Sequence, residues 1–229
     1  MLIMTKIKAI IFDMDGVLTD SLPAHYKSYE KLYEQLGVKY TFGEYVSKDI
    51  TAGAMNAIPR VLREHGKNNR EIASIVANRK MNFHRMLKEK NTTAAGIPIK
   101  LHKGVLPLLK SLKKEKYRMA VASGGTRFFV INRLKKHNIR KYFSAVVTGS
   151  DHVKKKPNPD IFLKAARKLG VKPNQCLVIE DAKDGVAAAK RACMKVIGHY
   201  QPKYRQDLSR ADKVVRSMAN INLKMIEKI

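Results

Sequence analysis

Tryptophan is absent from this 229-residue chain, cysteine occurs twice, and aspartate and glutamate together number only 19. The two cysteines, Cys176 and Cys193, sit in apolar surroundings without Cys-x-x-Cys or Cys/His spacing. They suggest neither a disulfide framework nor a zinc site, and both read as buried, reduced thiols. Long apolar runs are lacking as well. Ala9 to Phe12 falls far short of the roughly 18 apolar residues of a spanning helix, and no cleavable signal pattern precedes it. A soluble, cytoplasmic chain with no membrane partner is therefore expected. The scarcity of acids has a different consequence: against 46 Lys and Arg it leaves a formal charge of +27. Such a field attracts anions, whether nucleic acid, anionic membrane or a small phosphorylated metabolite, and does not choose among them.

What is present is 45% apolar sequence, enough for an ordinary core, in a length that suits one large domain or a domain carrying an insertion. Lys6 to Phe12 ends in a near-continuous apolar stretch, as a parallel strand buried on both faces would. Similar runs follow at Tyr117 to Ala122, Ser144 to Thr148, Cys176 to Glu180, Met194 to Gly198 and Ala211 to Val215. Between them, Val105, Leu108, Leu109 and Leu112 repeat with helical spacing, as do Phe162, Ala165, Ala166 and Leu169. Asn158 is the expected N-cap of the second helix, with Pro159 at its first position. Alternation of this kind predicts a Rossmann-like three-layer α/β/α fold around a mostly parallel sheet.

One region interrupts it. From Leu22 to Ile97 only helical patterns occur, such as Ile72, Ile75, Val76, Phe83, Met86 and Leu87, opened by Asn68 with Glu71 three residues on. The segments Asp20 to Pro23 and Ala94 to Pro98 have the composition of linkers. The expected organisation is a core domain of residues 1–21 and 98–229 and an inserted all-helical domain of residues 22–97.

Ligands of open α/β sheets bind at the carboxyl ends of the strands. After the first run comes Asp13-Met14-Asp15-Gly16, two carboxylates whose repulsion a hard cation such as Mg²⁺ would offset; a turn with solvated acids is the alternative. After the second comes Ser123-Gly124-Gly125-Thr126, either an anion site at a helix start or a small-residue turn. After the third come Lys154, Lys155 and Lys156 before Pro157, a solvated cluster or an ammonium aimed at a phosphoryl group. After the fourth comes Glu180-Asp181, a second acidic pair that a cation shared with Asp13 and Asp15 would reconcile.

In this order and at these places, Asp13-Met14-Asp15-Gly16, Ser123, Lys156 and Glu180-Asp181 resemble the four motifs of the haloacid dehalogenase superfamily. The insertion resembles the helical cap of its β-phosphoglucomutase and phosphoglycolate phosphatase branch. The resemblance implies Asp13 as nucleophile, Asp15 as general acid and base, Ser123 and the Gly124 amide as phosphate ligands, and Lys156 as charge balance, with Lys155 its runner-up. It implies Mg²⁺ held by Asp13, the Asp15 carbonyl and Asp181, with Glu180 direct or through water. Asp15, which the dehalogenases lack, favours phosphate chemistry.

A phosphatase acting on a small phosphorylated metabolite, its substrate selected by the cap, is the resulting expectation. A phosphomutase is the alternative. His25, ten residues past Asp15, suits either enzyme as a substrate residue. Mutase-like relatives carry an arginine soon after a cap glycine, whereas Gly53 is followed by none before Arg60. A third reading, a nucleic-acid-binding module on this scaffold, would use Lys110, Lys113, Lys114, Lys116 and Arg118, or Arg133, Lys135, Lys136, Arg140 and Lys141. Without aromatic interleaving or a recognisable motif, only non-specific electrostatic binding is expected. The core holds most of the excess, with 33 bases against 12 acids.

Overall fold

Six short runs, most of them rich in Ala, Val and Ile, assemble into one sheet, because the inner ones are apolar on both faces and find a parallel neighbour on each side, while the edge strand Lys213–Val215 is largely exposed. The computed structural model describes residues 6–49, 54–78 and 98–229. It divides into two compact units, Met1–Asp20 with Lys100–Ile229, and Ser21–Ile99.

The strands of the first unit are β1 (Ala9–Phe12), β2 (Thr19–Asp20), β3 (Lys100–Leu101), β4 (Arg118–Ser123), β5 (Ala145–Thr148), β6 (Cys176–Glu180), β7 (Lys195–His199) and β8 (Lys213–Val215). The main sheet runs β5-β4-β1-β6-β7-β8 and every pairing in it is parallel. Side chains alternate as a pleat requires: Ile10 and Phe12 enter one apolar layer, Ala9 and Ile11 the other. The first layer is covered by the helices Val105–Lys114 and Arg127–Lys136, the second by Asp160–Leu169 and Lys183–Arg191. The pair β2–β3 is antiparallel and joins the two chain segments that lead out of this unit. The second unit is helical where described. It contains Leu22–Gln35, Ala54–Glu64 and a helix at 69–78, with a tyrosine cluster of Tyr26, Tyr29, Tyr33, Tyr40 and Tyr45. No described helix is long and apolar enough to cross a membrane.

The α/β sheet and its six strand runs appear as expected, with ends displaced by at most three residues and Cys176–Glu180 unchanged. The capping box also forms: Asn68 Oδ1 accepts from the Glu71 N–H at 3.0 Å, and Glu71 accepts from the Asn68 N–H at 2.9 Å. Two local expectations are corrected. The helix Asp160–Leu169 begins one residue later than expected, with Pro159 in the cap position, although Asn158 Oδ1 still accepts from the Asp160 N–H at 3.1 Å. Cys176 is buried, but Cys193 is exposed, because it turns to φ 57° just past the helix Lys183–Arg191 and so leaves the apolar layer. Phe83, Met86, Leu87, Gly53 and the linker residues 94–97 lie outside the described residues.

Leu109 is fully buried in the first layer, at the centre of the helix Val105–Lys114. Leu109→Ala should lower the free energy of unfolding by about 2–5 kcal/mol in a urea titration. A loss below about 1 kcal/mol would contradict this packing.

Candidate active site

Parallel register brings three strand ends to one level. Phe12 lies between Val121 of β4 and Ile179 of β6, and the Asp13 N–H extends the ladder to the Ile179 carbonyl at 3.0 Å. Asp13, Ser123 and Glu180 therefore emerge at one edge of the sheet. The chain order reverses here, since β4 and β5 lie on one side of β1 and β6 to β8 on the other. Such switch points are where open α/β sheets bind ligands.

The side chains that meet at this edge are strongly charged and largely out of water. Asp13 is 8% exposed, Glu180 1% and Asp181 6%. Lys156 Nζ stands between the first two, 2.5 Å from Asp13 Oδ1 and 2.5 Å from Glu180 Oε1, and 4.9 Å from the centre of the Phe162 ring. Lys155 is exposed. Lys156 is therefore the lysine that the turn before the helix Asp160–Leu169 directs inward. Glu180 Oε2 accepts from the N–H groups of Asp181 at 2.7 Å and Ala182 at 2.8 Å. With both oxygens engaged, Glu180 secures Lys156 and its own loop.

Three buried carboxylates lie around one ammonium, and the imbalance shows in the proton affinities of Asp13 and Asp181. Burial pushes Asp13 up to about 7, against the pull of Lys156 and with the push of Glu180. Asp181 is raised well above the ordinary 3.8, again chiefly by burial and then by Glu180 and Asp13. Burial alone would lower the Lys156 ammonium, but Asp13 and Glu180 outweigh it and hold it above its usual value. A divalent cation fits this excess of hard oxygen donors. Among the described residues no ready-made group of three carboxylates, imidazoles or thiols surrounds one point. Mg²⁺ does not need one, because it is held through one or two carboxylates, with waters and substrate phosphate completing its shell.

Glycines allow the loops to close this tightly. Gly16 has φ +80°, and a Cβ there would lie 1.9 Å from Asp181 Oδ2; one on Gly185 would lie 1.8 Å from Glu180 Oε1. Ser123 is buried, and its Oγ accepts from the Gly125 N–H at 3.2 Å, which shapes the turn carrying Gly124. Asp15, two residues beyond Asp13, accepts from the Arg133 guanidinium.

Arg133 corrects the sequence reading, which placed it among surface bases. Its side chain is only 10% exposed and enters the site. The signal was present in its spacing, three after Val130 and one before Leu134, both buried on the same helix. Arg118 and Arg140 are likewise engaged, donating to the carbonyls of Leu169 and Phe143. Also unforeseen were His199, whose Nδ1 lies 2.7 Å from the Gly16 carbonyl, and Gln201 and Gln206 beyond it. They carry no local sequence signal, because they reach the site from the last residue of β7 and the loop after it. His25 belongs to the helical unit, on the helix Leu22–Gln35, and is half-buried there.

An open parallel sheet with an aspartate pair at its switch point, a half-buried lysine and a second acidic pair places the chain in the class of doubly wound α/β proteins with a charged site at the strand ends. A family profile for haloacid dehalogenase-like hydrolases matches residues 7–192. The chain is 31% identical over 223 residues to a Bacillus subtilis β-phosphoglucomutase, covering 96% of this chain and 94% of that one. It is 31% identical over 185 residues to a phosphorylated carbohydrates phosphatase of Thermotoga maritima, with 81% of each covered. Its fold matches that of CbbY from Rhodobacter sphaeroides, solved in complex with phosphate, with a TM-score of 0.77 at 28% identity over 97% of this chain and 100% of that one. The chain belongs to the haloacid dehalogenase-like hydrolases and is an enzyme of that family.

The elevated Asp13 has a consequence for stability. Folded and metal-free, it keeps its proton up to about pH 7, whereas unfolded it loses it near 3.8. Between these values the folded state binds more protons, so this group's contribution falls as pH rises. In EDTA, the melting temperature of Asp13→Asn should therefore gain on wild type from about pH 4 to about pH 7, by about 2–4 °C for each kcal/mol. Parallel profiles would show that Asp13 titrates normally.

Proposed function

We propose that this enzyme is a Mg²⁺-dependent phosphatase that hydrolyses a small phosphorylated metabolite, such as a sugar phosphate, through an aspartyl-phosphate on Asp13. The observation that carries this reading is the half-buried Lys156 ammonium 2.5 Å from Asp13, at the switch point and level with the ends of β4 and β6. A carboxylate kept there against its desolvation is suited to attack a centre that the same ammonium neutralises.

In the first half-reaction an Asp13 oxygen forms a bond to phosphorus and the bond to the leaving oxygen breaks, while protonated Asp15 gives that oxygen its proton. In the second, Asp15 takes a proton from water, the water oxygen attacks phosphorus, and the bond to Asp13 breaks to release phosphate. Asp15 serves both halves because it lies outside the strand ladder, with its carboxylate oriented by Arg133. General acid–base catalysis of this kind is worth about 10²- to 10⁴-fold. Ser123 Oγ and the Gly124 N–H bind the oxygens of the transferring group, and Lys156 balances their charge. Asp13, the Asp15 carbonyl and Asp181 would hold Mg²⁺, with Glu180 behind them. The cation would supply charge neutralisation and orientation for the phosphoryl group.

The helical unit is the part assigned to substrate selection, with His25 its candidate contact. The β-phosphoglucomutase relative keeps a phosphomutase as the second reading. Hydrolysis is favoured because no arginine follows Gly53 before Arg60, where mutase-like relatives carry one. The excess of positive charge would serve as a field that draws in a phosphorylated substrate.

Phosphate release from a panel of phosphorylated sugars and acids should require Mg²⁺ and fall to background in Asp13→Asn. In Asp15→Asn it should slow by about 10²- to 10⁴-fold. Including glucose 1-phosphate with a bisphosphate primer tests for isomerisation. Turnover that survives Asp13→Asn would overturn the mechanism, and isomerisation faster than hydrolysis would favour the mutase.

A further inference from the structure

The loop after β7 has no part in the chemistry derived above, yet two of its side chains close a circuit of hydrogen bonds with both acidic loops. Gln201 donates from Nε2 to the Gly16 carbonyl at 3.1 Å, and the same residue's N–H donates to Gln206 Oε1 at 2.9 Å. Gln206 Nε2 in turn donates to Asp181 Oδ2 at 3.3 Å. The circuit is completed by the close approach of Gly16 to Asp181, since any Cβ on Gly16 would fall 1.9 Å from that same Oδ2. His199 adds a second bond to the Gly16 carbonyl at 2.7 Å. Buried Tyr204 and Leu208 anchor the loop on either side of Gln206.

We propose that Gln206, braced by Gln201, is a positioning residue for the metal-binding carboxylate of Asp181. The inference rests on the proposed Mg²⁺ role of that residue. An amide orients a carboxylate by donating a hydrogen bond and leaves its charge in place. A lysine or arginine would orient it too, but would compete with the cation for that charge. The distinction matters in a chain with 46 Lys and Arg, in which the neighbouring Asp13 and Glu180 share an ammonium and Asp15 has a guanidinium. Of the two carboxylates assigned to the cation, Asp13 already meets Lys156, whereas Asp181 receives a neutral donor on Oδ2. Mg²⁺ demands near-ideal octahedral geometry, whereas Ca²⁺ accepts irregular shells, so loss of orientation should weaken the first far more than the second. Partners behind a metal ligand typically contribute 10- to 100-fold in affinity.

The test is calorimetric titration of the intact protein with Mg²⁺ alone and with Ca²⁺ alone, comparing wild type with Gln206→Met, and with melting temperature as a check on folding. We expect the Mg²⁺ dissociation constant of Gln206→Met to rise by about tenfold or more, with a much smaller change for Ca²⁺. Should Gln206→Met fail to fold, Gln206→Asn serves instead: it keeps the amide but is too short to span Gln201 and Asp181 together. An unchanged Mg²⁺ affinity, or an equal loss for both cations, would overturn the positioning role while leaving the functional reading intact. A wild-type protein that binds no Mg²⁺ would instead overturn the metal reading and this inference with it.

Discussion

Lys156 stands where the ends of two parallel strands bring the carboxylates of Asp13 and Glu180 out of water, and the site is organised around that ammonium. Removing an ion from water costs several kcal/mol, and the cost is recovered only by good geometry and by satisfying the remaining oxygens. Glu180 meets both conditions, with one oxygen on Lys156 and the other on two backbone N–H groups. Asp13 meets them in part and Asp181 less so, which is why burial raises the proton affinity of both. The residual negative charge is what a divalent cation would offset.

Such crowding constrains the backbone as much as the side chains. The two acidic loops approach so closely that the side chains of Asp181 and Glu180 occupy the space where Gly16 and Gly185 would carry a Cβ. Gly16 also has a backbone conformation that L side chains rarely adopt, and its carbonyl is taken up by His199 and Gln201. Strand register, glycine and the loop after β7 thus act on the same few ångströms. The family match over residues 7–192 covers most of this assembly but stops short of His199, Gln201 and Gln206.

The abundant positive charge has more than one use in the fold. Arg133 turns inward to Asp15, Arg118 binds the carbonyls that end the helix Asp160–Leu169, and Arg140 binds Phe143. These members of the basic clusters that a nucleic-acid reading would require thus have structural partners, as do Lys113 and Lys141 over the Tyr142 ring. Lys110, Lys113, Lys114 and Lys116 remain exposed, and they contribute to the general field around an acidic centre.

Each strand of the main sheet was legible because continuous apolar runs such as Ile10-Ile11-Phe12 and Leu177-Val178-Ile179 suit only a strand covered on both faces. Their ends were less legible: the β1 ladder starts at Ala9, where Arg118 and Cys176 first become available as partners, and not at Lys6. The pairing of Thr19–Asp20 with Lys100–Leu101 left no local signal, being two residues long and joining segments about 80 residues apart. By itself, the sequence determined the alternation of strands and helices, the helical insertion and the order of acid, hydroxyl, lysine and acid at four strand ends, since periodicity and motif order are local properties. Tertiary structure alone decided that Arg133 faces inward and that Gln206 reaches Asp181, and it brings Lys156, the lysine the motif resemblance favoured, to Asp13. Those outcomes depend on strand register and loop approach between residues 25 to 143 positions apart, and no stretch of the chain encodes such distances locally.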